Sequence, residues 1–113
     1  MALSRAQLGQ VTVVAAGSTQ AIATVANNKK IFVKSIMAHN KSGIVTGTAQ
    51  VYVVPNSGSV SETNRIFNVT VNPNETIFIE PGYPIVVAST GDTIQVGSAT
   101  TSINYFITGD QEA

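Results

Sequence analysis

The sequence predicts an all-β protein, an antiparallel β-sandwich or jelly roll of eight or nine short strands. Three observations carry that prediction. First, 15 valines, 11 isoleucines and 13 threonines make up over a third of the 113 residues. Such β-branched side chains are stiff at χ1 and suit a pleated strand better than a helix. Second, turn-forming residues recur at short intervals, at Gly17-Ser18, Asn27-Asn28, Asn40 to Gly43, Asn56 to Ser59, Asn72-Pro73-Asn74, Pro81-Gly82 and Thr90-Gly91-Asp92. Each supplies or pre-sets the φ values that tight turns require. Third, helical spacing of apolar residues is weak throughout, with Ser4 to Leu8 the one segment that fits a single helical turn.

Taken in order, the first strand is expected near 9–16, ahead of Gly17-Ser18, and the second at 20–26, ahead of Asn27-Asn28. The third, 30–39, runs into the Asn40 turn, and the fourth, 48–54, into the Asn56 turn. Strands at 65–71 and 75–80 flank Asn72-Pro73-Asn74; the last three fall at 85–88, 93–98 and 103–109. Turns every 8–12 residues or so between short strands mark a sandwich. The organisation read from this pattern is an N-terminal arm over 1–8, one domain over 9–109 and a C-terminal tail over 110–113.

The strand faces carry a second inference. Phe67, Val69 and Val71 alternate with Ile66, Asn68 and Thr70, and Ile94 and Val96 with Thr93, Gln95 and Gly97, so these two strands read as half-buried. Others are apolar on both faces: Ile31, Val33 and Met37 against Phe32, Ile36 and Ala38; Val51 and Val53 against Tyr52 and Val54; Ile77 and Ile79 against Phe78; Ile103, Tyr105 and Ile107 against Phe106. A two-sheet sandwich has one interior, so the second faces need another cover: the N-terminal arm, loops or other subunits. Charged residues make up 11% of the chain, against about 25% in an ordinary soluble domain. Sparse charge and two-faced strands together point to life in an assembly.

Composition also excludes several classes. The absence of cysteine removes disulfide scaffolds and thiolate metal sites. A formal net charge of zero argues against a general nucleic-acid binder. No run approaches the roughly 20 apolar residues of a membrane span, and the first ten residues lack the apolar core of a signal peptide. A soluble chain made in a cytoplasm is expected. The charges are sorted along it: residues 1–41 carry +5 and the remainder −5. If those halves occupied opposite edges, copies would meet head-to-tail with salt-sensitive association.

Candidate chemistry is sparse. His39, the single histidine, closes a strand ahead of Asn40-Lys41-Ser42-Gly43 and reads as structural rather than as a base or metal ligand. No Gly-x-Ser-x-Gly elbow and no phosphate-binding glycine pattern occurs. Glu75 and Glu80 lie five apart on one strand and face opposite ways, whereas Asp110 and Glu112 share a face in the tail. Thr90-Gly91-Asp92-Thr93 has too few acids for calcium and reads as a hairpin turn. The Asn-x-Ser/Thr triplets at Asn40, Asn68 and Asn74 follow from an Asn- and Thr-rich composition. Lys30 and Lys34 share a face of one strand and either guard an edge against mispairing or form a patch for phosphate or an acidic protein surface. Catalytic residues, metal ligands and cofactors are therefore not expected.

The opening Met1-Ala-Leu-Ser-Arg-Ala-Gln-Leu-Gly-Gln10 resembles the start of small structural proteins of tailed bacteriophages, especially cyanophages. The segments Ile22 to Gly43, Val71 to Glu80, Ile85-Val86-Val87, Thr90 to Val96 and Ile103 to Gly109 are similar to that family as well, although Ala26-Asn27 stands where it usually has proline. The resemblance implies a non-enzymatic virion component. With the sparse charge, it implies a decoration or cement protein bound to the major capsid protein or other virion proteins, as a homo-oligomer such as a trimer. Neither nucleic acid nor membrane is an expected partner. Leu3, Arg5 and Leu8 of the arm, Lys30, Lys34, Tyr83 and Tyr105 are the candidate protein-interface residues. The alternatives are a neck, tail or fibre module, and a carbohydrate-binding jelly roll. Against the latter, the chain offers only Tyr52, Tyr83 and Tyr105, and no tryptophan, to stack on sugar rings.

Overall fold

A computed structural model describes residues 3–112, with side chains over 14–111. Nine strands follow one another: β1 (Leu3–Val14), β2 (Thr19–Thr24), β3 (Ile31–Asn40), β4 (Gly47–Val54), β5 (Arg65–Val71), β6 (Thr76–Ile79), β7 (Ile85–Val87), β8 (Thr93–Ser98) and β9 (Ile103–Glu112). A single 3-10 turn spans Glu62–Asn64. The residues with positive φ are Gly17, Asn28, Ser57, Asn74 and Gly91, and all five sit in turns expected from the sequence. Glycine and asparagine supply four of them, as the left-handed region favours.

The strands form two antiparallel sheets, β1-β9-β3-β6 with β7 also on β3, and β2-β8-β4-β5. β7 pairs with Ile31 to Val33 and β6 with Ile36 to His39, so the two act as one strand interrupted over 80–84. Pro81 and Pro84 account for the interruption, because proline fixes φ and removes the ladder donor. With β6 and β7 counted as one, the first strand pairs with the last, the second with the next to last, and so inward to β4 with β5. The β9–β3 and β8–β4 ladders then join these pairs into two sheets. This is a long hairpin rolled up on itself, the jelly roll.

The core lies between the sheets. Ile31, Val33, Ile36 and Ala38 of β3 and Ile103, Tyr105 and Ile107 of β9 meet Ala49, Val51, Ile94 and Val96 from the other sheet, all buried. The assignment of β3 faces from strict alternation is corrected here. A register shift between Val33 and Ser35 against β9 leaves Lys34 without a ladder partner on that side. Beyond it, Ile36 and Ala38 point inward with Ile31 and Val33, while Met37 joins Phe32 outside.

Both chain ends also differ from expectation. Leu3 to Gln7 pair with Glu112 to Thr108, so the arm and the tail are opposed strand ends, and Ser4 to Leu8 is strand rather than helical turn. Asp110 lies opposite both Arg5 and Phe32, held from two sides by β1 and β3.

Candidate functional site

Two sets of two-faced strands meet different fates. On β4, Val51 and Val53 turn inward, and Tyr52 and Val54 occupy the opposite face by alternation. They are nonetheless buried. The loop over 55–64 lies against this strand: its 3-10 turn packs on β4, and a Cβ at Gly58 would lie 3.5 Å from Val54 Cγ1. Tyr52 donates to Gln50 Oε1 at 3.3 Å along the same face.

The outer face of the larger sheet has no such loop among the described residues. Its strand register sets Phe78, Met37 and Phe106 in one row across β6, β3 and β9, and Val86, Phe32 and Asp110 in another, with the polar Ser35–Thr108 pair between them. Phe78 is 62% exposed and Val86 53%, while Phe32, Met37 and Phe106 are half-buried by their neighbours. Among the described residues the face carries one ion pair, Lys34 Nζ to Asp110 Oδ2 at 2.8 Å. That contact joins a basic residue of the early chain to an acidic one of the late chain. The two charge halves therefore interleave, and the condition for a head-to-tail charge contact is not met.

The candidate residues separate. Lys34 stands on the open face, whereas Lys30 is exposed one residue before β3 and does not share its strand. Tyr83 is 88% exposed in the 80–84 segment, beside the open face. Tyr105 is not a surface residue: it is 0% exposed. Its hydroxyl donates to Gly97 O at 2.5 Å and accepts from Gln50 N at 3.1 Å. Burial pushes this hydroxyl up to about 12, against the opposing pull of the Gln50 hydrogen bond. The backbones of Leu3 and Arg5 lie in the β1–β9 ladder and Leu8 at its first irregularity, while their side chains fall outside the described residues.

The polar residues singled out from the sequence serve the fold. His39 Nδ1 contacts Thr76 Oγ1 at 2.8 Å across β3 and β6. Asn40 is fully buried; its Nδ2 donates to Val45 O and Val71 O, and its Oδ1 accepts from Ser42 N. Glu75 Oε1 accepts from Asn72 N within its turn. Asp92 Oδ1 accepts from Asn56 N at 2.9 Å, joining two loops at one end of the sandwich. Among the described residues no cluster of His, Cys, Asp or Glu is suited to a metal ion, and no helix is long and apolar enough to cross a membrane.

Phe78, Val86 and Ile44 were not among the candidate residues. The second apolar face of β3, β6 and β9 was the available signal for the first two. Ile44, 89% exposed in the β3–β4 loop, lies in a turn-rich stretch whose two adjacent apolar residues, Ile44 and Val45, carry no periodic signal.

No protein-family model matches the sequence, and no curated protein matches it. Among solved structures, a chain of the T13 viral particle of infectious bursal disease virus aligns with 97% of this chain and 30% of its own, at 6% identity and a TM-score of 0.56. The virus-like particle of the extra small virus of the prawn Macrobrachium rosenbergii aligns with 100% and 81%, at 8% identity and a TM-score of 0.45. The chain spans about a third or less of the infectious bursal disease virus chains it resembles. At 6% identity the likeness is one of fold: this chain shares a β-sandwich architecture with part of a chain from an icosahedral virus particle.

Proposed function

We propose that this chain is a non-enzymatic structural subunit of a virus particle, specifically a decoration or cement protein on the head of a tailed bacteriophage. The observation that carries this reading is the uncovered apolar face of the larger sheet, beside a β4 face that the chain covers for itself. Exposed Phe78 and Val86 on a small, sparsely charged domain mark a contact surface. The fold supports the same reading, since the jelly roll serves in viral capsid domains and aligns here with part of a virus-particle chain.

A cementing subunit needs one surface for the head and another for its neighbours. The edge strand β1, with Leu3, Arg5 and Leu8, is assigned to the head. Many weak contacts repeated over an assembled shell give avidity without premature aggregation.

The test uses phage heads assembled without this chain. Incubated with the purified protein and pelleted, they should retain it in a fixed ratio to the major capsid protein. A chain left wholly in the supernatant, or located by labelling at the tail alone, refutes the head assignment. Binding on a glycan array with no retention on particles would replace it with the carbohydrate-binding alternative.

A further inference from the structure

We infer that the chain also docks end-on, seating Ile44 in an uncharged, apolar recess of the major capsid protein. The inference rests on the reading of this chain as a particle subunit and gives it a point of attachment besides β1.

The two ends of the sandwich differ in chemistry. At one, the loops over 15–18, 41–46, 72–75 and 99–102 come together: Asn74 N donates to Ser42 O, Thr100 Oγ1 to Thr46 O and Gly17 N to Ser98 O. At the other, the loops over 25–30, 55–64 and 88–92 are joined through Asn28, Asn56 and Asp92. That second end carries Lys29, Lys30, Glu62 and Asp92 in its loops. The first carries Lys41 and Glu75, which cancel, and the Glu75 carboxylate is turned back onto Asn72 N.

A lone exposed isoleucine on a protein surface needs no explanation. Ile44 differs in how it is held. It is almost fully exposed, with Val45 exposed beside it, on a loop pinned along its length. Ser42 Oγ accepts from Ile44 N at 3.3 Å and from Val45 N at 3.0 Å. Asn40 Nδ2 donates to Val45 O at 2.8 Å, and Thr100 Oγ1 to Thr46 O at 2.7 Å. These backbone groups are satisfied within the chain, and the side chain presented at the tip is apolar. A side chain fixed in place before contact gives up little conformational freedom on binding, which is what an anchor residue requires.

The chemistry of this end selects its partner. The phosphates of a nucleic acid or an anionic membrane call for a cationic excess, which Lys41 set against Glu75 does not provide. A sugar ring calls for an aromatic platform, and the four loops contain no aromatic residue. The fitting partner is an apolar recess in a protein, wide enough for one β-branched side chain. Its rim should offer amides or hydroxyls to exposed Thr46 and Thr100.

The test titrates phage heads assembled without this chain and reads the concentration that gives half-occupancy. I44D should raise that concentration about tenfold or more, and I44A to a lesser degree. I44V and the far-end variant K29S should stay near wild type. β circular dichroism and the thermal midpoint should be the same in all of them, because Ile44 lies outside the core. Benzoylphenylalanine placed at Thr46 should photocross-link to the major capsid protein. An I44D chain that heads hold as tightly as wild type, or cross-links to DNA or to a second copy alone, overturns the docking and leaves the head assignment standing. A wild-type chain that heads do not retain refutes both.

Discussion

The Tyr105 hydroxyl on β9 donates to the Gly97 carbonyl on β8 at 2.5 Å, tying one sheet to the other through the middle of the sandwich. The same oxygen accepts from Gln50 N on β4, so one buried phenol engages backbone from two strands of the facing sheet.

Tyr105→Phe removes both bonds while keeping the ring, and should cost about 1–2 kcal/mol at pH 7 in chemical denaturation. A loss under a few tenths would show that the tie adds nothing.

The same hydroxyl sets an alkaline limit. Its pKa is raised from 10.0 to about 12 in the fold, so the folded chain keeps a proton that the unfolded chain releases. Its contribution is whole below pH 10 and is lost as pH rises from 10 to 12, by about 2–3 kcal/mol in all. Wild type should lose its margin over Y105F across this range and the two curves should meet or cross; parallel curves would contradict the assignment.

Asn40→Ala leaves the buried Val71 carbonyl, the Val45 carbonyl and the Ser42 amide without their partner. A loss of about 3 kcal/mol is expected from thermal unfolding. Asn40→Asp should fare worse at neutral pH, because a buried carboxylate would face two carbonyls; its pKa should rise, so the deficit should shrink in acid.

Gly91→Ala should cost about 1–3 kcal/mol. The residue sits at φ +86, and a Cβ would lie 2.5 Å from Asn56 Cγ. Restored stability in a G91A/N56G double variant would apportion the cost to the clash, and its persistence to the backbone.

Much of this molecule was legible from residue pattern. All nine strands fall where β-branched runs stand between turn residues, and interior strand ends fall within about two residues of expectation. The departures have tertiary causes. Ser4-Arg5-Ala6-Gln7 has no strand alternation and is extended because β9 pairs with it. The bulge at Lys34 was hidden because apolar residues continue on both faces beyond it. Tyr105 looked like a surface aromatic until Gly97 and Gln50, distant in sequence, supplied its hydroxyl with partners. The second apolar faces were visible as such, but only the folded 55–64 loop shows that β4's is closed and that of β3, β6 and β9 is open.

The rolled-up pairing also governs how the chain reaches this state. Leu3 lies opposite Glu112, so β1 is held by β9, the strand farthest from it in sequence. During synthesis β1 must wait, without this partner, until β9 has cleared the ribosome, and ladders between strands so distant in sequence form slowly. The few charges and broken β6–β7 edge act in that interval as well as in the finished fold. The same neutral strands that suit an assembly leave the nascent chain open to premature pairing, and the prolines at 81 and 84 close one route to it.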